Sequence, residues 1–232
     1  MYLLTETASP FALERWAAFF ANFGQFAKGF FYTLGISIGA LIVALLLGLI
    51  FGAMSSTHNK LLRGISRVYV EIFQNTPLLV QFVVVFYGIS ILTDGHVMIP
   101  ISLTAILCVG VYTGAYISEI IRTGIEAVPK GQTEAALSQG FTYADTMRII
   151  ILPQAVRTIL PPLTNQVVNL IKNTSTVAII SGADIMFTAK AWAYDTTNYV
   201  PAFAGAAFLY FIMCFPLATW ARRKEEENKK AY

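Results

Sequence analysis

The sequence predicts an all-α integral membrane protein of about five transmembrane helices, with an outside N-terminus, a cytoplasmic C-terminus and a short helix in a cytoplasmic loop. Three observations predict it. Apolar residues make up 56% of the 232-residue chain and only 12% are charged, about half the charge of an ordinary soluble domain. Uncharged runs long enough to cross roughly 30 Å of hydrocarbon fill most of the chain. Basic residues gather on one side of those runs.

Residues 1–27 form an N-terminal segment. Its stretch "FALERWAAFFANFGQFAKGFF" sets Trp16 and several Phe residues at helical intervals with few charges, the pattern of a helix lying at the membrane interface. No basic n-region precedes the first long apolar run, which is about twice the length of a signal-peptide core, so that run is expected to stay as an anchor.

The membrane domain covers residues 28–222. Three uncharged runs stand out: "GFFYTLGISIGALIVALLLGLIFGAM" at 29–54, "VMIPISLTAILCVGVYTGAYIS" at 97–118 and "TTNYVPAFAGAAFLYFIMCFPLATWA" at 196–221. A fourth, 72–92, is polar at one end, where Gln74, Asn75, Thr76, Pro77 and Gln81 fall. A fifth, 158–183, carries Lys172 near its middle. It is counted because the remaining charges find no consistent placement without it.

An outside N-terminus puts Lys60, Arg63, Arg67, Arg122, Lys130, Arg148, Arg157, Arg222, Arg223, Lys224, Lys229 and Lys230 in the cytoplasm and leaves Arg15, Lys28 and Lys190 outside. The reversed orientation inverts that ratio. Residues 223–232 are a solvated, charged cytoplasmic tail. Gly35 and Gly39, Gly48 and Gly52, and Gly110 and Gly114 recur at four-residue spacing. Small residues at that spacing let helix backbones approach closely, within one subunit or between two.

Composition excludes several functions. The net charge of +3 and the pI near 8.8 come from basic residues beside apolar runs, so no nucleic-acid surface is expected. Cys108 and Cys214 lie far apart inside apolar runs and read as small hydrophobes, with no disulfide or metal spacing. His58 and His96 are isolated on opposite sides of the membrane, no H-E-x-x-H occurs, and the serines lack a nearby base, so no catalytic or metal-ligating residues are expected. No G-x-x-x-x-G-K-[ST] occurs either, so ATP would have to be handled, with Mg, by a separate chain.

The candidate substrate pathway follows from polarity inside hydrocarbon. Lysine at a helix centre costs about 2.5–3.5 kcal/mol on insertion scales, so Lys172 must face water or a partner. With Asn169, Asn173, Thr174 and Ser175 it forms a polar belt able to meet a zwitterion's carboxylate. The alternative is a structural ion pair with a neighbouring Glu. Pro77 removes a backbone donor, and Asn75 and Thr76 beside it are expected to satisfy freed carbonyls or line a cavity; with Gln74 and Gln81 they make up the polar end of the candidate pathway. Arg67 with Glu71, and Glu119 with Arg122, stand at spacings that pair along a helix and are expected to be structural, the alternative being that a carboxylate facing the lumen receives a substrate's amino group.

The loop between Arg122 and Pro153 is too polar to span and too short to enclose its own core. After Gly140, Thr142 can cap a short helix with Asp145, and Pro153 is expected to end it. Tyr143, Met147, Ile150 and Ile151 then share one face, and a helix of about ten residues is marginal alone, so it is expected to be held by docking, with its own membrane helices on one side and a second protein on the other.

Glu134, Ala135, Ala136, Gly140, Ile150, Leu152 and Pro153 stand at the intervals of the EAA loop (132–153), and in this the chain resembles ABC importer permeases. "NTPLLVQ" (75–81), "GAYISEIIRTGIEAVPKGQTEAA" (114–136) and "IKNTSTVAIIS" (171–181) resemble the polar amino acid uptake branch of that family. Gln74 departs from it, where related sequences often carry Arg. The resemblance implies a multi-pass permease of the bacterial cytoplasmic membrane whose loop forms a coupling helix, Tyr143 and Met147 included, seated in a cytosolic ATPase. It also implies a second permease copy or a sister permease, and an extracytoplasmic binding protein. The substrate implied is a polar amino acid, with glutamine or glutamate ahead of arginine, lysine or histidine. An ATP-independent channel or secondary transporter is the alternative.

Overall fold

The structure is a computed structural model that describes residues 9–230, so the ends of the N-terminal segment and of the tail lie outside the described residues. All regular structure among these residues is helical. Helix α1 (Leu13–Ala21) is separated by Asn22 alone from α2 (Phe23–Ser55), a 33-residue helix. The boundary read at residue 27 therefore falls inside α2.

Helix α2 packs most extensively on α6 (Ile101–Glu126). A Cβ on Gly39 would lie 2.8 Å from Ile106 Cδ1, one on Gly48 would collide with Ile117 Cγ2, and one on Gly52 would lie 2.8 Å from Ile121 Cβ. Reciprocally, a Cβ on Gly110 would lie 2.7 Å from Val43 Cβ, and one on Gly114 3.1 Å from Leu47 Cβ. The glycine spacing thus serves packing within the subunit, except at Gly35, where a Cβ meets nothing within 4 Å. Overpacking such a contact costs about 1–3 kcal/mol or more. We expect Gly48→Val to cut the yield of monodisperse detergent-extracted protein several-fold while Gly35→Val matches wild type; equal yields would contradict this packing.

The paired positions rise together along both helices, so α2 and α6 run parallel and the chain must return between them. It does so through α3 (Lys60–Gln74), α4 (Leu78–Val83), a π-helical turn (Val84–Gly88) and α5 (Ile89–Leu92). Residues 72–92 are consequently not one straight span, because α3 meets Leu78–Leu92 at 96°. Pro77 causes the corner by removing a donor and disfavouring helix at the residue before it. The Phe73 carbonyl, whose helical donor would be Pro77, accepts instead from Gln81 Nε2 at 3.2 Å. Gln81 Nε2 also donates to the Thr76 carbonyl and hydroxyl, Thr76 Oγ1 to the Ile72 carbonyl, and Asn75 Nδ2 to the Glu71 carbonyl.

Helix α3 has three faces. Leu61, Ile65, Val68 and Ile72 are exposed, Ser66 and Val70 are buried, and Arg63, Arg67, Glu71 and Gln74 line a cavity. Ser66 Oγ donates to the Phe51 carbonyl at 2.8 Å, Tyr69 OH to Val111 at 2.7 Å and Gln74 Nε2 to Ala115 at 3.1 Å, which ties α3 to both α2 and α6.

After α7 (Lys130–Ser138) and α8 (Tyr143–Asp145), a second π-helical turn (Thr146–Ile151) leads into α9 (Leu152–Asn173) and a 3₁₀ segment (Thr174–Ile180). A Cβ on Gly124, near the end of α6, would collide with Ile159 Cγ1, and one on Gly182 would lie 3.1 Å from Ile101 Cγ2 at its start. The stretch from Leu152 to Gly182 therefore runs antiparallel to α6 along most of its length. Helices α2, α6 and the stretch Tyr199–Lys224 are long and apolar enough to cross a membrane, and the bent pair makes a fourth crossing if counted as one span. The fifth candidate starts at Leu152 rather than residue 158 and is not apolar enough to join them.

Helix α10 (Ile185–Thr196) precedes α11 (Tyr199–Lys230), which continues through Pro216 and carries residues 223–230 of the tail as helix. Helix α1 does more than lie at an interface. Phe19 is 4% exposed and packs with Phe26 and Trp192 over Gly205, while Arg15 Nη1 donates to the Thr197 carbonyl at 2.9 Å.

Candidate functional site

The loop between α6 and α9 is built by two local signals. Helix α7 ends in a Schellman motif: the Gly140 N–H donates to the Leu137 carbonyl at 3.0 Å and the Phe141 N–H to Ala136 at 3.2 Å. Gly140 holds φ +87° there, with nothing within 4 Å of an added Cβ, so it is the backbone conformation that requires glycine. Thr142 Oγ1 then caps the next helix by accepting from the Asp145 N–H at 3.2 Å.

Pro153 does not end that helix. The π turn just before it changes the hydrogen-bond register, so Pro153, at the second position of α9, is accommodated without ending the helix. The short helix Tyr143–Asp145 is thus continuous with α9 through the π turn, and its own chain holds it. The same turn breaks the single apolar face expected of Tyr143, Met147, Ile150 and Ile151. Tyr143 is exposed, Met147 and Ile150 are half-buried, and Ile151 is buried. Glu134, Ala135, Leu137, Gly140, Phe141, Leu152 and Pro153 are exposed, whereas Ala136 packs inward. Together they form an outward shelf with apolar content and no covering element among the described residues.

Beside this shelf, at the same end of the bundle, lies a cavity of about 1000 Å³ between α3 and α6. Gln74 and Asn75 line it, as do Arg67, Glu71, Glu119 and Arg122. Both expected ion pairs are present. Arg67 Nε stands 3.6 Å from Glu71 Oε1 with both side chains largely exposed, a geometry of little energetic weight. Arg122 Nη2 stands 2.7 Å from Glu119 Oε2, and Nη1 2.6 Å from Glu126 Oε2. Glu126 was legible as the i+4 partner of Arg122 and is the third member of this network. Its carboxylates hold both sides of the guanidinium.

The remaining pathway candidates separate from this cavity. Thr76 and Gln81 are used to staple the Pro77 corner. Thr174 is fully buried and turns its hydroxyl back to the Ile171 carbonyl at 2.7 Å, so it lines no path. Ser175 Oγ likewise donates to the Lys172 carbonyl, and Asn173 is half-buried. Asn169 and Lys172 do face outward from α9, continuing a stripe with Asn165 and Thr158. Asn169 Nδ2 reaches Gln166 Oε1 at 3.4 Å. No carboxylate among the described residues pairs with Lys172 within 4.0 Å, so the structural ion pair is not formed among them.

Sequence reasoning missed a buried polar knot. Asp184 is fully buried, caps α10 by accepting from the Phe187 N–H at 2.8 Å, and accepts from Tyr210 OH at 2.9 Å. Thr33 Oγ1 accepts from the Ile185 N–H at 3.2 Å beside it. The knot joins α2, α10 and α11. An Asp directly before an apolar helical run was the available signal.

A helical bundle with several helices apolar enough to cross a membrane, a charged cavity at one end and an exposed apolar shelf on the extension of one bundle helix defines a membrane-embedded helical protein. Residues 44–225 match the family model described as binding-protein-dependent transport system inner membrane component. The chain belongs to that family: it is an ABC importer permease, a multi-pass protein of the bacterial cytoplasmic membrane and not an enzyme. It is 37% identical to the probable glutamine ABC transporter permease protein GlnM of Bacillus subtilis (strain 168), with 92% of this chain and 97% of that one covered. It is 33% identical to the glutamate/aspartate import permease protein GltJ of Escherichia coli (strain K12), with 82% and 85% covered. A solved amino acid ABC transporter crystallised with histidines matches at TM-score 0.84 and 31% identity, over 91% of this chain and 98% of that one. Permease subunits of this family carry no cofactor of their own.

Proposed function

We propose that this chain is the permease of an ATP-driven importer of polar amino acids, with glutamine or glutamate preferred over arginine, lysine or histidine. The observation that carries the reading is the exposed shelf on the extension of α9, because a partner that moves it moves a bundle helix directly. The likeness to permeases named for glutamine and for glutamate/aspartate supports the substrate class.

On this reading the N-terminus lies outside and the chain crosses five times, so the shelf and the cavity are cytoplasmic, on the side rich in Lys and Arg. A cytosolic ATPase, carrying the ATP and Mg, closes on nucleotide. The shelf follows, α9 tilts, and access to the substrate alternates between the two sides. The outward stripe of Asn165, Asn169 and Lys172 faces a second copy or a sister permease, and the path runs between them. An extracytoplasmic binding protein delivers the amino acid.

The test is uptake of labelled amino acids into vesicles holding the assembled complex, in competition with a panel. Competition by glutamine and glutamate and dependence on ATP are expected. Uptake that persists without ATP would overturn the reading in favour of a channel or secondary transporter.

A further inference from the structure

The coupling shelf touches the bundle in a second place. Helices α7 and α8 share extensive contacts with the π turn Thr146–Ile151 alone, and that turn passes directly into α9. Outside this continuous route, the Tyr143 ring at the start of α8 meets the His58 ring edge-on, with centroids 5.5 Å apart and planes at 76°. His58 belongs to the connector between α2 and α3. The connector is well fastened on both sides of it. Ser55 Oγ and Ser56 Oγ each donate to the Gly52 carbonyl, at 2.8 and 3.0 Å. Asn59 Oδ1 caps α3 by accepting from the Leu61 and Leu62 N–H groups.

Only residues 56–59 join α2 to α3, so a displacement of His58 has few rotatable bonds over which to dissipate before it reaches α3. Helix α3 is one wall of the cavity, and α6 with Glu119 and Arg122 is the other. We propose that His58 is a positioning residue for transport, the contact through which the coupling segment moves α3 against α6 and so sets the opening of the cavity. The shelf then has two outputs: α9 by covalent continuity, and the α2–α3 corner through the His58–Tyr143 ring contact. This rests on the reading of the shelf as the ATPase docking site.

An aromatic contact of this kind shifts an equilibrium by roughly 2- to 12-fold. The readout is the ATP consumed per amino acid moved by the complete complex in vesicles, with copurification of the ATPase recorded for every variant. We expect His58→Ala to raise that ratio about threefold, and Tyr143→Ala to raise it by a similar factor. The double variant should be no worse than either single one, because both remove the same contact. His58→Phe, which keeps a ring edge, should recover most of the coupling. A His58→Ala ratio equal to wild type, or single effects that multiply to about ninefold in the double variant, would overturn the proposal while ATPase copurification leaves the docking reading standing. Failure of the wild-type chain to retain any ATPase would overturn both.

Discussion

Gly140→Val is expected to insert into the membrane normally and yet lose at least tenfold in ATP-driven uptake, together with most of the copurifying ATPase. The reason is local. Gly140 sits at φ +87° as the left-handed residue of the Schellman motif that closes α7. A side chain there costs about 1–2 kcal/mol in backbone energy, and a β-branched one is least able to adopt the conformation. An added Cβ meets no atom within 4 Å, so steric clash is not the cause. The corner itself relaxes, and the angle between α7 and α8 changes with it. Gly140→Asn separates the two mechanisms, since Asn tolerates left-handed backbone and should retain far more activity than Val. Equal loss in both variants would contradict the backbone argument, and wild-type uptake in Gly140→Val would contradict the role of the segment.

Lys172→Met is expected to lower uptake at least tenfold while the complex assembles in normal amount. Lys172 stands in the last turn of α9, exposed on this subunit, with no carboxylate partner among the described residues. An ammonium at that depth is tolerated only against water or a partner's polar groups. On the proposed path it receives the carboxylate shared by all amino acid substrates, so the loss should appear for every substrate and be partly restored by Lys172→Arg. Loss of the assembled complex instead would assign Lys172 to an ion pair across the subunit interface. Unchanged uptake would remove it from the path.

The sequence revealed most where a residue acts through its own backbone or its near neighbours. Thr142 was readable because an N-cap is set within a few residues, whereas the left-handed role of Gly140 was seen only in the structure. The Arg67–Glu71 and Arg122–Glu119 pairs followed from helical spacing. The apolar runs of α2, α6 and α11 needed only length and composition.

Elements that depend on tertiary context were read less well. Pro153 suggested an ending, but a π turn upstream let the helix continue, and that turn has no simple sequence signal. Pro77 signalled a break, but the 96° corner depends on Gln81 reaching back to the Phe73 carbonyl across eight residues. The polar belt on 169–175 mixed residues that face outward with Thr174, which faces in, because the α-helix tightens to 3₁₀ at Thr174 and the faces rotate. Asp184 with Tyr210, and His58 with Tyr143, are contacts between distant segments, and a single sequence carries no record of those.

The account rests on the exposed shelf being gripped by an ATPase. The most direct measurement is site-specific crosslinking from a cysteine placed at Glu134 or Leu137, both exposed on the shelf, in vesicles that are actively taking up substrate. The account predicts a crosslinked product containing the ATPase subunit, with a yield that changes between the nucleotide-free and ATP-bound states. Active uptake with no such product from either position would contradict it.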